Sequence, residues 1–175
     1  NMVCGSSLKA VALGADSILL GRASVVLAGG VEVMSRAPHY QHGLRWGKKL
    51  GAVTLADAIL EDGLTDPGLR IPMGETAERI ADHHGIRREE QDQFALRSQT
   101  LVAANQEALA RERVKVGDCS VDEHPRPETT LEGLGKLRPS FRKEGSVTAG
   151  NASGINDGAA MILLADKAGL GRLGL

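Results

Sequence analysis

Two continuous apolar runs lie near opposite ends of this chain: Ser24-Val25-Val26-Leu27-Ala28-Gly29-Gly30 and Ala159-Ala160-Met161-Ile162-Leu163-Leu164-Ala165. Neither alternates with polar residues, which is the pattern of a strand covered on both faces. The stretch between them has a different texture. The chain must therefore leave one core segment, run through a long insertion, and come back to a second. Ahead of the first run, Leu8, Val11, Ala12, Ala15, Ile18 and Leu19 share one face at helical spacing, and Gly21 is placed to end that helix. Helix then strand across a short link is half of a βαβ unit. An aromatic content of 2% with 22 glycines implies an interior of Ala, Val, Ile and Leu with close backbone approaches, the style of an α/β protein.

The insertion is predicted to be rich in helix. One helix is expected through Leu55, Ala58 and Ile59. A second follows Met73-Gly74, with Ala77, Ile80 and Ala81 on one face and Gly85 as its stop. The strongest begins near Glu89: Glu89, Glu90 and Asp92 lie in its first turn, where the helix dipole favours them. Phe94, Leu101, Val102, Ala108 and Leu109 form its apolar stripe. Residues 117–150 read as irregular, broken by Pro125, Pro127 and Pro139. A glycine-rich segment, Thr148-Ala149-Gly150-Asn151-Ala152-Ser153-Gly154-Ile155-Asn156-Asp157-Gly158, then leads into the second run.

With 21 basic and 22 acidic residues the net charge is −1, which argues against nucleic acid or an anionic membrane as partner. Hydrophobic residues make up 42%, enough for a core. Cys4 and Cys119 form neither a metal-ligand spacing nor a disulfide framework, so no metal is expected and reduced cytoplasmic thiols are the simplest reading. No apolar run is long enough to span a bilayer, and no signal-peptide pattern is visible. The chain opens without Met and closes on Gly171-Arg172-Leu173-Gly174-Leu175 with no finished element, so it reads as an internal piece of a longer protein.

Cys4 is the leading candidate for chemistry. It sits just before the first predicted helix, where unpaired N–H groups and the positive end of the dipole favour a thiolate, the nucleophilic form. Gly5, Ser6 and Ser7 keep its surroundings open to an acyl group. A lone cysteine in this position is also a common small core residue, and the local pattern leaves both readings open. Cys119, in the polar segment Gly117-Asp118-Cys119-Ser120, reads as a loop thiol, and the five histidines read as surface or loop residues.

An ordered set of segments resembles the thiolases, particularly the short-chain acetyl-CoA acetyltransferases. The segments are Asn1-Met2-Val3-Cys4-Gly5-Ser6, Val26-Leu27-Ala28-Gly29-Gly30-Val31-Glu32-Val33-Met34-Ser35, Met73-Gly74-Glu75-Thr76-Ala77-Glu78, Glu89-Glu90-Gln91-Asp92, Lys136-Leu137-Arg138-Pro139 and Thr148 through Gly158. The resemblance implies part of the N-terminal half of a layered α/β/α thiolase fold. Residues 1–33 and 156–175 would form the partial core and 34–155 an inserted, α-rich loop domain that binds CoA and takes part in oligomerisation. The C-terminal half of the family pattern is absent from this sequence.

That resemblance also implies roles. Cys4 matches the residue that becomes acylated. Arg126 matches a basic residue near the adenine and phosphate end of CoA, and Met73 one lining the acyl and pantetheine end. Ala149 and Ser153 match positions along the pantetheine arm, and Phe141 one near the CoA ring system. CoA thioesters are substrates here, and no cofactor is implied. The activating histidine, the second cysteine and the oxyanion asparagine of the family belong to its missing half. Three positions depart from the pattern: Ser7 for a glycine, Gly133 for a serine and Pro72 for a histidine. The implied reaction is condensation of two acetyl-CoA to acetoacetyl-CoA, with a homodimer or homotetramer when intact. The alternatives are a degradative 3-oxoacyl-CoA thiolase of broader chain length and, for this chain alone, an inactive CoA-binding fragment with exposed strand edges.

Overall fold

The computed structural model describes residues 2–175; Asn1, first residue of the cysteine motif, lies outside the described residues. In chain order the regular elements are α1 (Ser6–Leu19), β1 (Val25–Val33), β2 (His39–Tyr40), β3 (Ala56–Asp57), α2 (Met73–His84), α3 (Arg88–Ala104), α4 (Gln106–Glu112), α5 (Leu131–Gly135), β4 (Asp157–Ala165) and α6 (Lys167–Leu173). They fall into two compact units: Asn1–Ile59 with Ile155–Leu175, and Leu60–Gly154.

The first unit is built on β1 and β4. They pair antiparallel without a bulge, from Val25 opposite Ala165 to Val33 opposite Asp157. A βαβ reading would make neighbouring strands parallel. Here the chain leaves β1 at Val33 and re-enters β4 at its partner Asp157, so the two strands must run in opposite directions. The junction is tied by the Ser35 amide and hydroxyl, which donate to the Asp157 carboxylate at 2.8 and 2.5 Å. These two donors, the hydroxyl first, hold the Asp157 carboxyl below the usual carboxylate range against the opposing effect of burial.

Helix α1 covers one face of this pair. It approaches through Gly14, which is buried: a Cβ there would stand 2.9 Å from Leu164 Cδ1 and 3.1 Å from Val26 Cγ1. Its covered side is therefore centred on Gly14, whereas Leu8 and Leu19, expected on the buried stripe, are exposed. Coverage of the strands on both faces is not met among the described residues. Ala28 is buried, but Leu27 and Val31 on the alternate face are 62% and 72% exposed. Gly21 ends α1 as expected, with φ +67° and its N–H donating to the Ile18 carbonyl.

Of the helix predicted through Leu55, Ala58 and Ile59, the first part is not met. Ala56 and Asp57 pair with Tyr40 and His39, Asp57 Oδ1 accepts the Ile59 N–H at 2.9 Å, and helical backbone starts at Ala58 and continues as a π-helical turn, Ile59–Leu64.

In the second unit, α2 stops at Gly85 as expected, with φ +64° and the Ile86 N–H donating back to the Ala81 carbonyl at 2.9 Å. Helix α3 starts where Glu90 Oε2 accepts the Arg87 N–H at 2.8 Å. The helical run breaks at Asn105, whose side chain donates to the Leu101 carbonyl, and resumes as α4. The expected apolar stripe of α3 is not its buried side: Phe94 is 68% exposed, while Asp92 is buried. The interior holds Ala81, Leu134 and Val147 beside three polar side chains, Glu78, Asp92 and Thr148. No helix among the described residues is long and apolar enough to cross a membrane.

Candidate active-site elements

Cys4 lies in a 3₁₀ turn, Val3–Gly5, that runs directly into α1. The turn is held by short local bonds. The Gly5 N–H donates to the Met2 carbonyl at 3.0 Å, the Ser6 hydroxyl donates to the Val3 carbonyl at 2.8 Å, and the Met2 N–H donates to Ser6 Oγ at 2.8 Å. Val3 carries φ +51°, a left-handed conformation that a β-branched residue adopts only under constraint, at about 1–3 kcal/mol. One residue further, the exposed Cys4 thiol stands at the amino end of a fourteen-residue helix. Ser7, on the first turn of α1, packs against Gly30 of β1, where a Cβ would overlap Ser7 Oγ. The bare backbone of Gly30 thus leaves the room that the Ser7 side chain fills.

The second unit contains a cavity of about 520 Å³. Its apolar wall includes Leu60, Leu64, Met73, Ile80, Phe141 and Val147; Gln91, Asn151 and Ser153 supply its polar side chains. The Phe141 ring lies where a side chain at Gly74 would be, so only a bare backbone at 74 lets the ring close onto the start of α2. Two of the polar groups are already engaged. Gln91 Nε2 donates to Ser146 Oγ at 2.8 Å, and Asn151 Nδ2 donates to Asp92 Oδ1 at 2.9 Å and to the Ser146 carbonyl at 3.0 Å.

Residues 146–151, of which Val147 and Asn151 line this cavity, are locked by buried carboxylates. Glu78 of α2, 1% exposed, accepts the Ser146 and Val147 N–H groups at 2.9 Å and the Ser146 hydroxyl at 3.0 Å. Burial alone would push the Glu78 carboxyl up. The Ser146 and Val147 amides, the Ser146 hydroxyl and the Arg142 charge together outweigh it and hold the group below the usual glutamate range. Next along the chain, the Thr148 N–H donates to Asn151 Oδ1 at 2.7 Å. Asp92 of α3 completes the frame by accepting Arg88 Nε at 2.8 Å, and Arg88 reaches the Leu134 and Leu137 carbonyls. Outside it, Arg142 forms a two-pronged pair with Glu75 at 2.8 Å on each oxygen. The Arg142 bonds are the main cause lowering the Glu75 carboxyl below its ordinary value.

The sequence-predicted residues sort as follows. Met73, Phe141 and Ser153 line one cavity, with Pro72 beside them. Ala149 is exposed on the locked segment and Arg126 is exposed on a loop, its N–H donating to Gln99 Oε1 at 2.8 Å; neither lines the cavity. Cys4 belongs to the other unit. Cys119 is an exposed thiol on a turn beside Val116. No group of three or more His, Cys, Asp or Glu among the described residues could hold a metal ion. Sequence reasoning missed Glu78, and it gave Asp92 only a helix-dipole role. The available signal was position: Glu78 falls three residues before Ala81, on the face of α2 read as apolar, and a charge there requires buried partners.

A family model for the thiolase N-terminal domain matches residues 1–168. An acetyl-CoA acetyltransferase of Rhizobium meliloti (strain 1021) is 49% identical over 100% of the chain, and the cytosolic acetyl-CoA acetyltransferase of Mus musculus is 46% identical over 95% of it. The chain spans about half the length of these curated relatives, 47% and 45% respectively. Among solved structures, human mitochondrial 3-ketoacyl-CoA thiolase in complex with CoA is similar with a TM-score of 0.88 and 42% identity, covering 98% of this chain and 45% of that one. The ordered motifs, the α/β fold and these matches agree: the chain belongs to the thiolase family, as its N-terminal domain.

Proposed function

We propose that the intact protein is an acyl-CoA acyltransferase that joins two acetyl-CoA molecules through an acyl-enzyme on Cys4. The observation that carries this reading is the exposed Cys4 thiol on a constrained turn at the start of α1, in a chain of this family. In the first step the Cys4 thiolate attacks the thioester carbonyl, the carbon–sulfur bond to CoA breaks, and CoA leaves as its thiol after taking a proton. In the second step another acetyl-CoA loses a methyl proton. Its carbanion attacks the Cys4 thioester, giving acetoacetyl-CoA and returning the thiolate. Thiolysis is the same path reversed. The base for the second step is not assigned to any residue of this chain.

The inserted segment, residues 34–155, is proposed to carry the CoA contacts, with Met73, Phe141 and Ser153 along the acyl and pantetheine end, Ala149 beside the arm and Arg126 toward the phosphates. The apolar cavity lined by the first set supports this, as does the CoA held by the solved thiolase relative. A cytoplasmic homo-oligomer using no cofactor completes the proposal. A degradative 3-oxoacyl-CoA thiolase is the second reading, favoured by the likeness to human mitochondrial 3-ketoacyl-CoA thiolase and by Leu60 and Leu64 in the cavity wall.

Acid quenching of the intact protein with acetyl-CoA, followed by peptide mass mapping, tests the proposal. An acetyl group is expected on the peptide ending at Lys9 and is expected to vanish in Cys4→Ala. An adduct that survives Cys4→Ala overturns it. Turnover of long 3-oxoacyl-CoA in preference to acetoacetyl-CoA would transfer the assignment to the second reading. For the 175-residue chain alone, acylation without sustained turnover is expected, since residues acting as a unit lose most of the rate together.

A further inference from the structure

We infer that Glu78 is a positioning residue: its buried carboxylate, backed by Asp92 and Asn151, fixes the path of residues 146–151 and thereby the wall of the CoA cavity. This rests on the proposed CoA-binding role of that cavity. Three consecutive backbone amides, Ser146, Val147 and Thr148, donate to side chains: the first two to Glu78 and the third to Asn151. Asn151 is in turn aimed by Asp92 Oδ1 and the Ser146 carbonyl. The one backbone bridge of this segment, Pro139 with Thr148, lies beside the bond from the Ser140 N–H to the Val147 carbonyl. Side chains of α2 and α3 thus hold most of what a sheet ladder would hold elsewhere.

The geometry leaves little slack. A Cβ at Gly145 would overlap Glu78 Oε1, and one at Gly150 would stand 2.5 Å from both Leu134 Cδ2 and Leu137 Cδ1. Thr148 is 0% exposed. Val147, Asn151 and Ser153 line the cavity, so a shift of the locked amides moves the wall directly. Glu78 itself is absent from that lining, hence positioning rather than contact.

The isosteric variant Glu78→Gln separates positioning from bulk stability. Its amide places a donor against a donor N–H, removing bonds to a charged acceptor while keeping the volume. Titration of the protein with CoA by calorimetry is expected to show a roughly tenfold weaker Kd in Glu78→Gln, with amide exchange at Ser146–Thr148 accelerated. A folded Glu78→Gln protein with lower stability but unchanged Kd overturns the inference and leaves the CoA reading intact. Wild-type protein that fails to bind CoA overturns that reading, and the inference with it. Should Glu78→Gln not fold, Ser146→Ala removes the hydroxyl that donates to Glu78 and accepts from Gln91 Nε2, while both amide bonds to Glu78 stay. A Kd weaker by roughly two- to threefold is expected there, and an unchanged one overturns the inference.

Discussion

The two units are held in opposite ways. In the strand unit, elements meet where side chains are missing: Gly14 brings α1 onto Val26 and Leu164, and Gly30 receives Ser7. In the helical unit, elements meet where charges are buried: Glu78 and Asp92 gather a loop that has almost no ladder of its own. The close approach at Gly14 is local and tolerant, because its nearest neighbours are the methyl ends of Leu164 and Val26, which can turn aside. A buried carboxylate is neither, because each donor it abandons stays buried and unpaired. The unit built on charge should therefore be the more fragile to single substitutions and to acid.

The largest effect is expected from Glu78→Ala. Two buried amides lose their acceptor, at about 1–3 kcal/mol each, so a loss near 3 kcal/mol is expected at neutral pH in urea denaturation. The sign with pH follows from the lowered carboxyl. Its contribution is fully present above the unfolded glutamate value, about pH 4.3, and is lost as pH falls through the lower folded value. The gap between wild type and Glu78→Ala should thus shrink on acidification. A gap that stays constant to low pH, or one below about 1 kcal/mol at neutral pH, would mean the loop is held by something other than this charge.

A middle effect is expected in the strand unit. Gly14→Val adds branched atoms against Leu164 Cδ1 and Val26 Cγ1, already 2.9 and 3.1 Å from the first added carbon. Overpacking of this kind costs about 1–3 kcal/mol. Gly14→Ala adds only that first carbon, gains about 1 kcal/mol of helix propensity, and faces a terminal methyl that can rotate away. Its stability should stay near wild type. Equal stability of the two variants would show that α1 does not rest on the strands through Gly14.

The same contrast explains what could be read from the amino-acid order. The two apolar runs became β1 and β4, and Gly21 and Gly85 ended their helices with positive φ, because period and backbone handedness are local properties. Faces were harder. Helical spacing puts the stripe of α1 through Leu8 and Leu19, but a glycine sets the contact; it puts the stripe of α3 through Phe94, but Asp92 faces inward. Helical spacing reports where apolar residues recur and is silent on a polar partner 68 positions away, the separation of Glu78 from Ser146. Cys4 was legible as a residue before a helix, yet the left-handed Val3 beside it was not, since β-branching argues against that conformation.

The smallest effect should be the same in both units, which makes it the sharpest control. Each unit holds a short helix capped by a side chain: Thr130 Oγ1 accepts the Gly133 N–H at 3.0 Å in the helical unit, and Asp166 Oδ1 accepts the Gly169 N–H at 2.6 Å in the strand unit. Both remove one orphan donor at a helix start, so Thr130→Ala and Asp166→Ala are each expected to cost about 1 kcal/mol. If the units differ only in how their interiors are joined, the two losses will match within a few tenths of a kcal/mol in parallel urea titrations. A clearly larger loss for Thr130→Ala would carry the fragility of the helical unit out to its surface. Buried charge would then no longer account for it, because α5 also presents its Leu134 carbonyl to Arg88 and a frayed α5 would loosen Asp92 from the outside.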